Sequence, residues 1–158
     1  MSCYLRPRVP GGTVFFTVCL AEAGSSLLVD EVERLRRAVR QTIAERPFAV
    51  RAWVVLPDHM HCVWDLPEGD SDYSTRWGAI KARFSQGLPE RRVRDSHVLR
   101  REKAIWQRRF WEHHCRGEAE VAGWARYCAT DPVRHGLVAR PQDWPWSSVR
   151  RDADRVGA

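Results

Sequence analysis

The stretch "LPDHMHCVWDL", residues 56–66, decides how the chain folds. Read as a strand, its side chains alternate between two faces. Met60, Cys62, Trp64 and Leu66 fall on one face, which is what a buried sheet surface needs, and His59, His61, Val63 and Asp65 fall on the other. The second face therefore carries two imidazoles ~7 Å apart by strand rise, directly after a Pro57-Asp58 turn. Two neutral imidazoles with that spacing can converge on one divalent metal and leave room for a third ligand, water and substrate oxygens. A His-x-His spacing arises by chance in many chains, so the reading needs support from elsewhere.

Working outward, "FAVRAWVVL" (48–56) reads as a strand joined through Pro57-Asp58 into a hairpin. "GGTVFFTVCLA" (11–21) has turn glycines followed by a β-rich run, the first strand. Between them Asp30 opens a helix with Glu33 three residues on, as in a capping box; Val32, Leu35, Val39 and Ile43 are its apolar stripe and Pro47 ends it. After the loop "PEGDSD" (67–72), a second helix carries Tyr73, Trp77, Ile80, Phe84 and Leu88 on one side, with Gly87 near its end. Residues 89–104 are basic and weakly periodic, a loop or marginal helix. A last helix spans 118–131 with a stripe of Val121, Trp124, Ala125 and Cys128, and stops at Pro132; "WPWSSVR" is an aromatic segment that packs back on the body. Strand, helix, hairpin, helix is most of a ferredoxin-like α+β layer. The expected fold is therefore α+β, an antiparallel sheet with helices on one face and the histidine face uncovered, its fourth strand falling in 90–110. One domain is expected over residues 1–158, with its core in about 10–150.

Composition narrows the function. A hydrophobic fraction of 44% excludes global disorder, and no 18-residue apolar run exists. "MSCYLRPRVPGG" at the N-terminus lacks an apolar signal core, so a cytoplasmic protein with no membrane association is expected. Five cysteines without repeated spacing fit a reducing compartment, and no CxxC argues for structural zinc. Net charge is +6, and it is concentrated: between Arg76 and Arg116 twelve Lys/Arg stand against four Asp/Glu. A basic middle on a near-neutral scaffold marks a polyanion binder. Compositional bias explains why 24 of the 26 cations are arginine, but it does not explain the clustering.

The last helix supplies the support the histidines need. At 100° per residue, Glu120, Tyr127 and Asp131 lie along one edge of it, off the apolar stripe. A phenol beside a carboxylate is equipment for metal-assisted phosphoryl transfer with a tyrosine nucleophile. Asp131 reads equally as a metal ligand or as a cap for a turn that begins with Pro132. Glu120 reads as a solvated first-turn carboxylate favoured by the helix dipole. Tyr4 is terminal and Tyr73 sits on an apolar stripe, which leaves Tyr127 as the well-placed phenol.

"LPDHMH" (56–61), "STRWGAIKARFS" (74–85), "WQRRFWEHHCR" (106–116), "RYCATDPVRHGLV" (126–138) and "WPWSS" (144–148), in that order, resemble the REP-associated tyrosine transposases, relatives of the single-tyrosine insertion-sequence transposases within the HUH endonucleases. The resemblance covers roughly residues 10–150. It implies a ferredoxin-like fold of HUH nuclease type, Mg²⁺ or Mn²⁺ as cofactor, and nicking of single-stranded DNA beside palindromic hairpins through a 5′-phosphotyrosine. His59 and His61 match the family's histidine pair, Tyr127 its nucleophile, and Asp131 the Asn or Gln that supplies the third metal ligand. Asp58 likewise stands where Asn is expected. Two extra carboxylates near the metal favour a hard cation and leave rate and metal preference open. In this light Trp106, Arg108, Arg109, Phe110, Trp111 and His114 offer stacking surfaces and phosphate contacts for unpaired bases, and Arg76, Lys81 and Arg83 are placed to hold the hairpin stem. Taken singly, Trp106, Phe110 and Trp111 read better as core.

Three other readings compete: a catalytically inactive, domesticated hairpin binder, an RNA binder on the same fold, and a metal phosphohydrolase of small molecules. The last needs a second His-x-Ser/Thr element, which none of His97, His113, His114 or His135 begins. The resemblance implies a monomer, with a homodimer exchanging the tyrosine helix, as in related insertion-sequence transposases, as the alternative.

Overall fold

The computed structural model describes residues 5–89 and 104–149. Four antiparallel strands, β1 (Thr13–Cys19), β2 (Ala49–Val55), β3 (His59–Asp65) and β4 (Trp111–His114), form one sheet in the order β2-β3-β1-β4. The tight β2–β3 connection is closed by the Leu56 N–H donating to the His59 carbonyl at 2.8 Å. The sheet places Thr17 opposite His61 on one side and Trp111 on the other, and Phe15 opposite Val63 and His113. Residues in register share a face. Phe15, Thr17, His59, His61, Val63, Trp111 and His113 therefore look one way, while Phe16, Met60, Cys62, Trp64, Glu112 and His114 look the other.

Helices α1 (Val32–Glu45) and α2 (Tyr73–Ser85) cover the second of these faces. There Phe16, Val18, Met60, Cys62 and Trp64 meet Leu35, Trp77, Ile80 and Phe84, and Trp64 stacks on Trp77 with centroids 4.5 Å apart. The Asp72 carboxylate caps α2 by accepting from the Thr75 N–H. The α+β class and the antiparallel sheet agree with expectation.

One part of that expectation needs correcting: the histidine face is not uncovered. Helix α3 (Glu118–Arg134) packs across it, burying Phe15, Ala52, Val54 and Val63 against Val121 and Cys128. The cause lies in β1 and β2, whose Phe15 and Val54 put apolar area on this face that must be removed from water.

Three smaller corrections concern Asp30, the fourth strand and Pro132. Asp30 opens no long helix; it ends a single helical turn, Leu27–Asp30, and its carboxylate accepts from the Ser26 hydroxyl, so α1 begins at Val32. The fourth strand is Trp111–His114, beyond the expected 90–110, of which 90–103 lie outside the described residues. Its inward residues are Glu112, paired with Arg6, and His114, so it lacks the apolar alternation that reveals a strand. Pro132 does not stop α3, which runs to Arg134. So near the end of a helix, proline removes one donor, and the last turn is closed by the His135 N–H on the Asp131 carbonyl and the Leu137 N–H on that of Pro132.

The "WPWSS" segment does pack back. It lies along the outer edge of β2, with Trp144 Nε1 donating to the Val55 carbonyl, the Val55 N–H donating to the Trp146 carbonyl, and the Ser148 hydroxyl accepting from the Trp53 backbone N–H and donating to its carbonyl. The four described cysteines are free, and no helix among the described residues is long and apolar enough to cross a membrane.

Candidate active site

The alternation of β3 sends His59 and His61 up beneath the C-terminal half of α3, where they meet Asp131. His61 is 4% exposed. Its Nδ1 is 2.8 Å from the Thr17 hydroxyl on the neighbouring strand, and its Nε2 is 3.0 Å from Asp131 Oδ2. Burial pulls its pKa below the usual value, although Asp131 works in the opposite direction. His59 holds Asp58 Oδ1 through Nδ1 at 2.7 Å and points Nε2 at Asp131 Oδ2, 3.4 Å away. Burial pulls its pKa down too, but the two carboxylates outweigh it and the net shift is upward. Asp58 is itself fixed by the Gly24 N–H at 2.8 Å. It thus acts as the partner that sets the orientation of His59, a common arrangement behind metal-bound imidazoles.

Asp131 is 1% exposed and is the hub of the site. Burial raises its pKa, yet hydrogen bonds from His59, His61 and Arg134 hold it far below the ordinary carboxylate range. A further residue joins it: His135 Nε2 lies 3.5 Å from Asp131 Oδ2, one helical turn on. Ligand atoms of His59, Asp131 and His135 all lie within 4.8 Å of one another, a group able to hold a metal ion. The sequence signal for His135 was its spacing, since Tyr127, Asp131 and His135 fall at successive steps of four. Ending the helix at Pro132 concealed it.

Tyr127 lies on the same edge of α3, 37% exposed, its ring edge-on to His61 with centroids 5.2 Å apart. Phe15 and Trp124 flank it at 5.8 and 5.4 Å. The Arg134 guanidinium lies 3.9 Å over the ring and binds Asp131 Oδ1 at 2.7 Å and the Tyr127 carbonyl at 2.8 Å, so one cation fixes both the phenol ring and the carboxylate. The structure thus brings His59, His61, Asp131 and Tyr127 together within one chain. It leaves Glu120 out, a turn and more away, where it accepts from His113 Nε2 and the Arg116 N–H.

No protein-family model matches the chain. The chain is 44% identical over 157 residues to the REP-associated tyrosine transposase of Escherichia coli K12, covering 98% of this chain and 87% of that protein. It is 40% identical over 154 residues to a Haemophilus influenzae protein described as of the same family, covering 96% and 88%. The chain belongs to the REP-associated tyrosine transposases. A solved structure of such a transposase, bound to a REP hairpin, superposes with a TM-score of 0.84 at 43% identity, covering 98% of this chain and 87% of that one. A transposase-like protein from Deinococcus radiodurans R1, at 17% identity and a TM-score of 0.50 over 80% of this chain and 95% of that one, shares the fold.

In this REP-associated tyrosine transposase the residues expected at DNA divide. Arg76 is 3% exposed, and all five of its donors are engaged, by Asp70 twice and by the carbonyls of Arg46, Pro47 and Asp72. It ties the 67–72 loop to the end of α1 and has nothing left for a phosphate. His114 faces the core beside Tyr73, with both ring nitrogens buried and without a hydrogen-bond partner among the described residues. The position on the site's face is His113, one residue away, because a strand reverses its side chains at each step. Lys81 donates to the Gln107 carbonyl, and burial with Arg6 nearby pulls its pKa to about 8. Arg83 is held by Thr42 and Glu45 on α1. Arg108 and Arg109 are exposed. Trp106 and Phe110 pack on the core, whereas Trp111 is 51% exposed.

Proposed function

We propose that this transposase binds hairpins of palindromic DNA repeats and nicks the adjoining single strand, Tyr127 being the nucleophile. The observation that carries this reading is the single cluster in which a half-exposed phenol stands against His61, with Asp131 and His59 behind it. The family relationship supports it, because a relative of 43% identity has been seen bound to a REP hairpin.

The donor set fits a divalent cation. One buried, ionised carboxylate faces three imidazole nitrogens within 3.5 Å, and mixed nitrogen and oxygen donors suit Mn²⁺ and accommodate Mg²⁺. His59, His61, Asp131 and His135 are the residues that would hold it. When bound, such an ion polarises the phosphodiester and offsets the charge that develops on its oxygens.

Tyr127 does the rest. Its hydroxyl oxygen bonds to phosphorus and the bond from phosphorus to the 3′ oxygen breaks. The phenol proton leaves to solvent, which Tyr127 reaches, and the departing 3′ oxygen takes one up. The DNA 5′ end stays on the protein and a free 3′ hydroxyl is released. Arg134, stacked on the ring, holds the phenol in place; Arg126, the cation nearest in sequence, is instead exposed on the helix surface. Because β3 and α3 of one chain complete the site, we propose that the active form is a monomer.

Hairpin DNA labelled at its 5′ or 3′ end, incubated with Mn²⁺ and then denatured, tests the mechanism. Only label on the 3′ side of the cut should remain with the protein, and Tyr127→Phe should keep hairpin affinity yet form no adduct. An adduct with Tyr127→Phe, or cutting by wild type without any adduct, refutes it. Binding without cutting by wild type would favour the inactive hairpin binder. Affinity should fall steeply with salt, and neutralising Arg108 and Arg109 should weaken it more than neutralising Arg36 and Arg37.

A further inference from the structure

We infer that Trp111 is the platform on which one base of the unpaired DNA flank stacks, holding the strand beside Tyr127. The inference rests on the nicking activity proposed above. Of the eight tryptophans, seven are buried or half-buried, and Trp111 alone is exposed. Its ring is nonetheless held on three sides: parallel to His113 at 6.0 Å, and edge-on to Phe15 and to Trp124, each at 5.8 Å. An indole so fixed, with half its surface in water, is an unfilled apolar contact of defined orientation.

Its position gives the occupant. Thr17 pairs with His61 on one side and with Trp111 on the other, so Trp111 stands in the same row and on the same face as the histidine, two strand spacings or about 10 Å away. Phe15 and Trp124 touch both Trp111 and Tyr127, so the platform and the nucleophile are neighbours across a shared pair of rings. β4 is the end strand in the order β2-β3-β1-β4, and exposed Arg109 and Arg116 flank it in sequence. A flat aromatic surface beside cations and beside a phosphate-attacking phenol matches an unpaired nucleotide. Each base offers a π-face, so stacking would hold the strand whatever its sequence.

Two hairpins test this, one blunt and one with a single-stranded flank carrying 2-aminopurine at each position in turn, bound to Tyr127→Phe protein so that nothing is cut. At one flank position fluorescence should be quenched on binding. Adding Trp111→Ala should abolish that quenching and weaken binding of the flanked hairpin about tenfold, with blunt-hairpin binding unchanged, and Trp111→Phe should restore most of the affinity. An abasic site at that position should erase the difference between Trp111 and alanine. Equal affinities for the flanked hairpin with and without Trp111, or an equal loss for both hairpins, overturns the platform while leaving the nicking reading intact. Failure of the protein to bind either hairpin overturns both.

Discussion

On the face beneath α1 and α2, β3 contributes Met60, Cys62 and Trp64, each at 4% exposure or less, to an apolar layer. On the face beneath α3 the same strand contributes His59, His61 and Val63, and His61 is as deeply buried as Met60. The two faces handle polarity in opposite ways. The first leaves the indole N–H of Trp77 buried without a partner among the described residues. The second surrounds the Asp131 carboxylate with His59, His61, Arg134 and His135. A strand's period of two decides which residue goes to which face. The helix laid on each face then decides whether the residue becomes ballast or chemistry.

That contrast can be broken by substitutions one residue apart. Trp64→Ala should have the largest effect, about 3–5 kcal/mol of stability lost, read as a lower urea midpoint. A variant that unfolded at the wild-type midpoint would mean the Trp64–Trp77 stack contributes little. Arg76→Met comes next, at about 2–3 kcal/mol, because Asp70 and three carbonyls lose their donor. Its hairpin affinity, measured on folded protein, should be unchanged. A selective loss of affinity would return Arg76 to the DNA interface.

The histidines sharpen the comparison. Were their face uncovered, alanine at either site would leave stability alone. With α3 in place, His61→Ala should cost about 2 kcal/mol, since Thr17 and Asp131 each lose a buried partner, while His59→Ala should cost less than about 1 kcal/mol. Both should abolish Mn²⁺ binding by calorimetry, and equal stability in the two would contradict the burial difference. The smallest effect is acidic. The Arg76 guanidinium holds Asp70 at about 2, below an unfolded value of ~3.9, so its contribution is present above pH ~4 and is lost as pH falls through about 2. Asp70→Asn should therefore be less stable than wild type at pH 6, with the gap closing by pH 2 in urea titrations.

Where periodicity was strong, the fold was legible. β1, β2, β3 and the stripes of α1 and α2 announce themselves through apolar spacing, and the His59–His61 pair with Tyr127 and Asp131 could be read from two short segments. β4 could not, because its inward positions are Glu112 and His114, made tolerable by Arg6 and by packing on Tyr73. That His113 and not His114 shares the face of His61 was hidden for the same reason, since without the register neither side of β4 declares itself. Arg76 was misplaced because a count of charge carries no exposure. His135 was missed for a backbone reason: proline in the last turn of a helix costs one hydrogen bond, too little to end it against the packing of Val121 and Cys128.

The strap from Trp144 to Ser148 has a consequence for self-association. It occupies the outer edge of β2 with backbone and side-chain bonds to Trp53 and Val55, residues 89 to 95 positions earlier in the chain. A strand edge with free N–H and C=O groups is a template for another chain, and so distant a contact is among the last to form during folding. Until the strap closes, β2 would offer Ala49–Val55 to any neighbouring molecule. A chain truncated before Trp144 should consequently sediment as dimers and larger species, with the aggregates growing from that edge, while the intact protein stays dispersed.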